Sequence, residues 1–274
     1  MSPKVAIAGA TGNLGPVVLR ALLRAGFEVT VLTRAESDRS NNNFGPAHVV
    51  PVDYSSLDSL TAALKGSNIV VNTLGAIPRE IHLRLIDAAV AAQVQRFIPS
   101  EFGSDTTNAT AAKLPVYQDK VAIQKYLREK AAESDGEFSY TILINGPFLD
   151  WGLTVEFLLN WRGPEAELYD EGERKFSATT LAGVAKGVNE LLELSGKQVP
   201  TKSIDTAELE KDGYAELAKP SPNPGVFVLS FFRRAIFGEG CGSLFPAERL
   251  SNDLLGVGTL SKEELQEIVS RSTE

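Results

Sequence analysis

The chain has 274 residues, of which 43% are hydrophobic, and it carries a net charge of −8 with a pI near 5.0. This length fits one large domain or a domain with a smaller lobe, and the acidic balance argues against a nucleic-acid-binding face. The sequence contains no run of about 18 apolar residues, so it predicts no membrane span. One cysteine and two histidines are too few for an internal disulfide or a zinc site. The first residues read as a strand rather than a secretory leader, so we expect a cytoplasmic protein. We also expect no metal, and a monomer or homodimer.

Short apolar runs alternate with helical patterns through the first half of the chain. The runs at 4–9, 27–33, 48–52, 68–74 and 96–100 predict strands, and the spacing of apolar residues predicts helices over 14–25, 56–64 and 79–92. A longer helix over 113–133 and a strand over 139–145 follow. Strands that alternate with helices need right-handed crossovers, so the pattern predicts a doubly wound, parallel α/β sheet of the Rossmann type.

The rhythm changes after Gly146, where 147–175 and 219–260 are rich in glycine, proline and aromatic residues. A helix near 180–194 and a strand over 197–204 interrupt them. We predict a Rossmann domain over 1–146 and 176–204, with 176–204 returning to the main sheet, and a smaller substrate-binding lobe over 147–175 and 205–274. The aromatic side chains of this lobe could enclose a flat apolar ligand, although core packing is expected for most of them: Phe148, Trp151, Phe157, Trp161, Phe227, Phe231 and Phe232.

Three glycines at equal spacing, Gly9, Gly12 and Gly15, separate the first predicted strand from the first helix. Gly9 permits a tight turn, Gly12 lets the backbone approach a pyrophosphate, and Gly15 lets the helix pack on the strand. The helix N-terminus then offers N–H groups to the anion. The pattern therefore predicts a dinucleotide site, and a glycine-rich turn without a ligand is the alternative.

The second predicted strand ends in Thr33 and Arg34. An NAD site usually has an acidic residue at this tip, whereas a guanidinium can pair with a 2′-phosphate. The sequence thus favours NADP(H), while Glu36 leaves an NAD site open. Asp53, after the third strand, could accept from the adenine amino group, and a loop role or the cap of the helix over 56–64 is the alternative.

Two further strand ends supply candidate site residues. Thr73, Leu74 and Gly75 follow the fourth strand, and small residues there suit backbone that passes along the nicotinamide ribose. The stretch RFIPSEFG, from Arg96 to Gly103, begins as a strand and ends in a loop. The carboxyl edge of an open α/β sheet binds ligands, so Ser100, Glu101 and Phe102 are placed to line the site, with turn and capping roles as the alternative.

Lys120 lies in the middle of an apolar stripe on the long helix, between Val116, Ile123 and Leu127 at helical spacing. Burial lowers the pKa of a lysine, which makes it a proton donor or base near neutral pH. The alternatives are a side chain that extends along the helix to solvent, or a structural ion pair.

These motifs together resemble the isoflavone reductase and phenylcoumaran benzylic ether reductase family, which belongs to the NmrA-like atypical short-chain dehydrogenases. The similarity rests on GATGNLG, Thr33–Arg34, RFIPSEFG and the downstream Lys120. It implies NADPH-dependent hydride transfer to an aromatic, often phenolic, small molecule, with Lys120 as the catalytic general acid/base. The Y-x-x-K spacing of Tyr117 differs from the Y-x-x-x-K of typical short-chain dehydrogenases, so Tyr117 receives no proton-donor role. The resemblance implies these cofactor-binding residues: Gly9, Thr11, Gly12, Asn13, Leu14, Gly15, Arg34, Thr73, Leu74, Gly75, Asn145, Gly146, Pro147 and Phe148.

Two positions depart from the family pattern. His82 stands where relatives often carry Gln, and we expect it on the helix surface, with a position facing the pocket as the alternative. Leu181 stands where relatives often carry Asp. A non-catalytic, dinucleotide-sensing regulator is the alternative function, but such proteins generally lack the lysine. A third possibility keeps the fold and uses the bound cofactor for epimerisation or dehydration.

Overall fold

The computed structural model describes residues 4–24, 26–36, 44–160, 164–178, 181–182, 201–245, 259 and 261–273. The chain divides into two compact units. The first unit is Met1–Glu101 with Asp119–Leu143, and the second is Phe102–Gln118 with Ile144–Glu274.

These limits differ from the predicted domain boundaries, mainly because Phe102–Gln118 belongs to the second unit. The physical reason is apolar burial. Within the second unit, Leu114 and Tyr117 pack in one buried cluster with Phe231 and Ala235. Short 3-10 turns replace the start of the predicted helix over 113–133, and the α-helix itself begins at Gln118.

The first unit is built on a six-stranded sheet. Its strands run parallel in the order β3-β2-β1-β4-β5-β6, and the winding direction reverses between β1 and β4. This confirms the predicted doubly wound, Rossmann-type sheet, whose carboxyl edge at the reversal point is the usual ligand site. The strands are β1 (Lys4–Ala8), β2 (Glu28–Arg34), β3 (His48–Val52), β4 (Ile69–Asn72), β5 (Arg96–Ile98) and β6 (Ser139–Tyr140).

Four helices accompany this sheet: α1 (Gly15–Arg24), α2 (Leu57–Leu64), α3 (Arg79–Ala91) and α4 (Gln118–Glu133). Ser56 caps α2 by accepting from the N–H of Ser59. The core is aliphatic, with Leu60, Ile86 and Leu127 fully buried. Burying such side chains contributes about 1.5–3 kcal/mol each, which explains why the apolar spacing predicted these helices well.

The second unit lacks a large sheet within its described residues. Strand β7 (Ala166–Tyr169) pairs in parallel with β10 (Thr201–Ile204), and β8 (Ser177–Ala178) pairs antiparallel with β9 (Leu181–Ala182). The prediction that 176–204 returns to the main sheet is wrong for the described strands of this range. Strands β8 and β9 pair with each other, and β10 pairs with β7 rather than with the six-stranded sheet. Within the predicted helix over 180–194, Leu181 and Ala182 form β9 instead. The other residues of this predicted helix lie outside the described residues.

Aromatic packing dominates the core of the second unit. Tyr169 stacks on Phe237 with 4.7 Å between ring centroids, and Phe176 meets Phe237 edge-on at 4.9 Å. Phe157 and Phe231 are buried as predicted for core residues, whereas Trp151 is 40% exposed; Trp161 lies outside the described residues. The helices among the described residues of this unit are α5 (Leu149–Thr154), α6 (Thr206–Leu217), α7 (Pro224–Phe237) and α8 (Lys262–Thr273). In the described part of the chain, every helix is too short or too polar to cross a bilayer.

Candidate functional site

Two of the three loop glycines are required by the fold itself. Gly9 has a φ of +89°, and a Cβ there would lie 2.6 Å from the carbonyl carbon of Thr73. A Cβ on Gly15 would lie 2.1 Å from the carbonyl oxygen of Gly9. The predicted turn at Gly9 and the close packing of α1 at Gly15 are therefore confirmed.

Gly12 is different, because nothing among the described residues requires a glycine there. Its φ lies outside the left-handed region, and a Cβ would come no closer than 3.5 Å to the nearest atom, the carbonyl oxygen of Gly9. Thr11, Gly12 and Asn13 are all exposed. A glycine without an internal steric reason, between a strand and a helix N-terminus, fits a position kept open for an approaching phosphate.

The carboxyl end of β2 presents a buried hydroxyl and an exposed cation. Thr33 is 7% exposed, and its Oγ1 has no hydrogen-bond partner among the described residues. An unpaired buried polar group costs about 1–3 kcal/mol, so a polar ligand atom at this strand end would be stabilising. Arg34 follows it, exposed, at the last position of β2.

Asp53 follows β3 and uses one carboxylate oxygen within its own turn. Its Oδ1 accepts from the N–H of Ser55 at 2.8 Å and from the Ser55 hydroxyl at 2.6 Å. These hydrogen bonds lower the pKa of the Asp53 carboxyl. Asp53 thus has the loop role that the sequence left open, while the cap of α2 is Ser56, and the contact with adenine stays a prediction.

The segment Asn72–Gly75, which follows β4, is fixed by its neighbours on both sides. The N–H and the hydroxyl of Thr73 each donate to the carbonyl oxygen of Ala8, at 2.8 Å. The hydroxyl of Ser100 donates to the carbonyl oxygen of Leu74 at 2.7 Å. Backbone at the reversal point of the sheet is therefore held from β1 and from the loop after β5.

His82 supports the same segment from α3. It is 6% exposed, and its Nδ1 lies 2.9 Å from Nδ2 of Asn72. Burial lowers the pKa of His82. The expected surface position was wrong, because His82 shares a helix face with the fully buried Leu85 and Ile86 at spacings of three and four; that spacing was the available signal.

Lys120 lies on the buried face of α4, as the apolar stripe predicted. Ile123 and Leu127 on this face are buried, while Lys125 is exposed. The Lys120 amine donates to the carbonyl oxygen of Glu101 after β5. Burial lowers the pKa of Lys120, and the Glu101 carboxylate offsets part of that effect. The side chain is therefore bound at the carboxyl edge of the sheet, where a proton donor or acceptor is useful.

Four predicted residues, Phe102, Asn145, Pro147 and Phe148, belong to the second unit. There the N–H groups of Asn145 and Gly146 donate to the carbonyl oxygen of Gly103 at 3.2 and 2.9 Å. Pro147 is buried and Phe148 is half-buried. Their contact with a cofactor stays a prediction.

Tyr117 is a structural residue of the second unit. Its hydroxyl donates to Oγ of Ser104 at 2.8 Å, and burial raises its pKa. A phenol with a raised pKa is a poor acid near neutral pH, in line with the absence of a proton-donor role. Across the described ranges, no three His, Cys, Asp or Glu side chains come together in a way that could hold a metal ion.

The sequence of this chain is similar to those of several known proteins. A profile of the NmrA-like family matches residues 1–156. Oxidoreductase aprR of Aspergillus flavus is 39% identical over 197 residues, which cover 70% of this chain and 64% of that protein. The isoflavone reductase homolog IRL of Zea mays is 33% identical over 175 residues, covering 60% of this chain and 55% of the homolog. The aligned regions thus span less than two thirds of either relative.

A solved structure shows the same fold over nearly the whole chain. AtPrR2 with NADP+ and (+)pinoresinol aligns with a TM-score of 0.73 at 19% identity, covering 98% of this chain and 99% of that one. The family profile covers more than half of the sequence, including the glycine loop, the His82 helix and Lys120. The resemblance read from the motifs is confirmed, and the chain belongs to the NmrA-like family.

Proposed function

We propose that the chain is an NADPH-dependent reductase of the isoflavone reductase type, with Lys120 as its general acid/base. The observation that carries the proposal is the Lys120 amine, which is held on the Glu101 carbonyl with a pKa lowered by burial. It lies at the carboxyl edge of the same Rossmann sheet that presents Gly12 and Thr33. Relatives named oxidoreductase and isoflavone reductase homolog support this assignment.

The residues at this edge fit a dinucleotide. Gly12 leaves room for a pyrophosphate, the unpaired hydroxyl of Thr33 offers a polar contact, and Arg34 supplies a cation for a 2′-phosphate. The structure of AtPrR2 with NADP+ supports the choice of NADP(H) over NAD(H). When bound, NADPH supplies a hydride. The full set of proposed cofactor contacts is Gly9, Thr11, Gly12, Asn13, Leu14, Gly15, Thr33, Arg34, Asp53, Thr73, Leu74, Gly75, Ser100, Glu101, Phe102, Lys120, Asn145, Pro147 and Phe148.

Lys120 performs the proton chemistry in this proposal. Its ammonium form donates to the oxyanion that develops when an enone or quinone-methide-like substrate is reduced. The lowered pKa makes that proton easier to release than from an ordinary lysine. The carbonyl of Glu101 fixes the amine in place, so less side-chain freedom is lost at the moment of reaction.

The substrate class in this proposal is a small aromatic or phenolic molecule, and the (+)pinoresinol bound by AtPrR2 supports it. We assign substrate contacts to the predicted lobe, 147–175 and 205–274, where Trp151 exposes an indole ring. We infer that the protein acts in the cytoplasm, in secondary metabolism, as a monomer or homodimer. A non-catalytic dinucleotide sensor would share the nucleotide contacts but would need no proton donor.

The test is oxidation of NADPH with a panel of phenolic enones, comparing wild type with Lys120→Ala. Loss of a general acid costs about 10²–10⁴-fold in rate, so we expect turnover to fall by that factor while NADPH still binds. Lys125→Ala is the matched control, because this exposed lysine of the same helix forms an ion pair with the exposed Glu129 and lies on the opposite face from Lys120. Full activity of Lys120→Ala refutes the role of the lysine, and NADPH binding without turnover by wild type favours the sensor.

A further inference from the structure

The proposed chemistry makes no use of His82, although it is the buried histidine of the chain and lies beside the nucleotide edge. We propose that His82 is a positioning residue, which holds the backbone of Asn72–Gly75 in the shape that binds the nucleotide. This inference rests on the proposed function. His82 would then affect nucleotide affinity without contacting the nucleotide itself.

A chain of hydrogen bonds carries the argument. Oδ1 of Asn72 accepts from the N–H of Leu74 at 3.1 Å, so Nδ2 of Asn72 faces Nδ1 of His82 at 2.9 Å. Because Nδ2 is a donor, Nδ1 of His82 must accept, and the ring proton resides on Nε2. The imidazole also bonds the backbone of Gly75, an interaction that favours a donating ring nitrogen. One neutral tautomer therefore ties both ends of the segment.

The surroundings keep the ring neutral. Burial has the largest effect on the pKa of His82 and lowers it, and the Lys120 charge lowers it further. The hydrogen bond to the Gly75 backbone and the charge of Asp119 act in the opposite direction and raise the pKa, and Asp119 is itself paired with Arg79 at 3.2 Å. If His82 were protonated, Nδ1 would become a donor and would face Nδ2 of Asn72, which is also a donor. Turning the Asn72 amide over would remove this conflict, but Nδ2 would then face the N–H of Leu74. The network thus has a single satisfied arrangement, which is what a positioning residue requires.

Removing the imidazole should loosen the segment without touching the chemistry. His82→Phe keeps a planar ring but deletes both hydrogen bonds, and it leaves the buried amide of Asn72 without its acceptor. We expect KM and Kd for NADPH to rise about 5- to 10-fold, with kcat at saturating NADPH within about twofold of wild type. His82→Gln, whose amide provides one acceptor and one donor, should restore most of the affinity.

The measurement is NADPH titration and steady-state kinetics at a temperature where every variant is folded, as judged by circular dichroism. His48→Phe is the matched control, since His48 is the other histidine and is exposed on β3. Should His82→Phe fail to fold, His82→Asn replaces it. That variant keeps the contact with Asn72 and loses the one with Gly75, and a two- to fivefold rise in Kd is expected.

The outcomes separate the two proposals. If wild type binds no NADPH, the proposed function fails. If wild type binds NADPH and the His82 variants bind it equally well, the positioning role is overturned while the function stands. A rise in Kd with rescue by His82→Gln supports it, whereas a loss of kcat with unchanged KM contradicts it.

Discussion

The first unit buries aliphatic side chains against a parallel sheet, whereas the second buries aromatic rings against one another, and the strands in its described part are short. In the first, Ile7, Leu60 and Leu85 are fully buried around regular strands. In the second, Tyr169, Phe176 and Phe237 form stacked and edge-on pairs. A regular sheet gathers its strand ends at one edge, so polar residues from distant parts of the sequence meet there. Aromatic packing has no such edge.

This contrast explains where the candidate chemistry lies. Gly12, Thr33 and Lys120 come from sequence positions far apart, yet each lies at or beside the carboxyl end of a strand. The unexplained features of the first unit, an open glycine and an unpaired buried hydroxyl, both point to a ligand. Apart from Phe102, Asn145, Pro147 and Phe148, which we assign to the cofactor, the described contacts of the second unit are mainly those of a packed core. Variants in the two units should therefore separate stability from nucleotide affinity.

The largest expected effect is on stability, from the second unit. Phe231 is fully buried, and truncating a buried Phe to Ala costs about 3–5 kcal/mol. Phe231→Ala should lower the free energy of unfolding by that amount in a denaturant titration, while NADPH affinity stays unchanged at a temperature where the protein is folded. Leu229→Ala, at a 36%-exposed position of the same helix, is the control. A parallel loss of NADPH affinity would break the contrast between the units.

A smaller effect, on affinity alone, is expected from Arg34→Ala. A hydrogen bond to a charged group contributes about 1.5–3 kcal/mol, so NADPH should bind about 10- to 100-fold more weakly. NADH lacks the 2′-phosphate, and its affinity should hardly change. Arg20→Ala, an exposed position on α1, is the matched control. Equal losses for both nucleotides would remove the argument for NADP(H).

The smallest effect is a pH dependence of stability. The pKa of His82 is lowered in the folded state from an ordinary value of about 6.5. The unfolded chain therefore binds more protons below about pH 6.5, and stability falls as the pH drops from there toward the folded-state pKa. Wild type should lose stability in this window more steeply than His82→Gln, measured by urea unfolding at several pH values. Identical slopes would show that His82 does not titrate on unfolding.

Sequence patterns predicted the first unit well, because its signals are local. Strand β3 begins and ends at the predicted residues, and α3 differs from its prediction by one residue. The buried position of Lys120 followed from helical spacing alone. The surface position expected for His82 was wrong, because the apolar residues three and four positions later, Leu85 and Ile86, place it on the buried face of α3.

The remaining differences have tertiary causes. The predicted strand over 139–145 shortens to Ser139–Tyr140, since pairing with β5 ends after two residues. Phe102–Gln118 joins the second unit because Leu114 and Tyr117 pack against Phe231, which lies more than a hundred residues later in the chain. Such long-range aromatic contacts leave no periodic signal. The unpaired hydroxyl of Thr33 is likewise visible only once its neighbours are placed.

The central claim is that the carboxyl edge of the first unit binds NADPH, and calorimetric titration of the wild-type protein with NADPH and NADH tests it most directly. We predict saturable binding of NADPH at one site per chain, with weaker binding of NADH. An absence of heat and of any thermal stabilisation with both nucleotides, in either redox state, would contradict the claim.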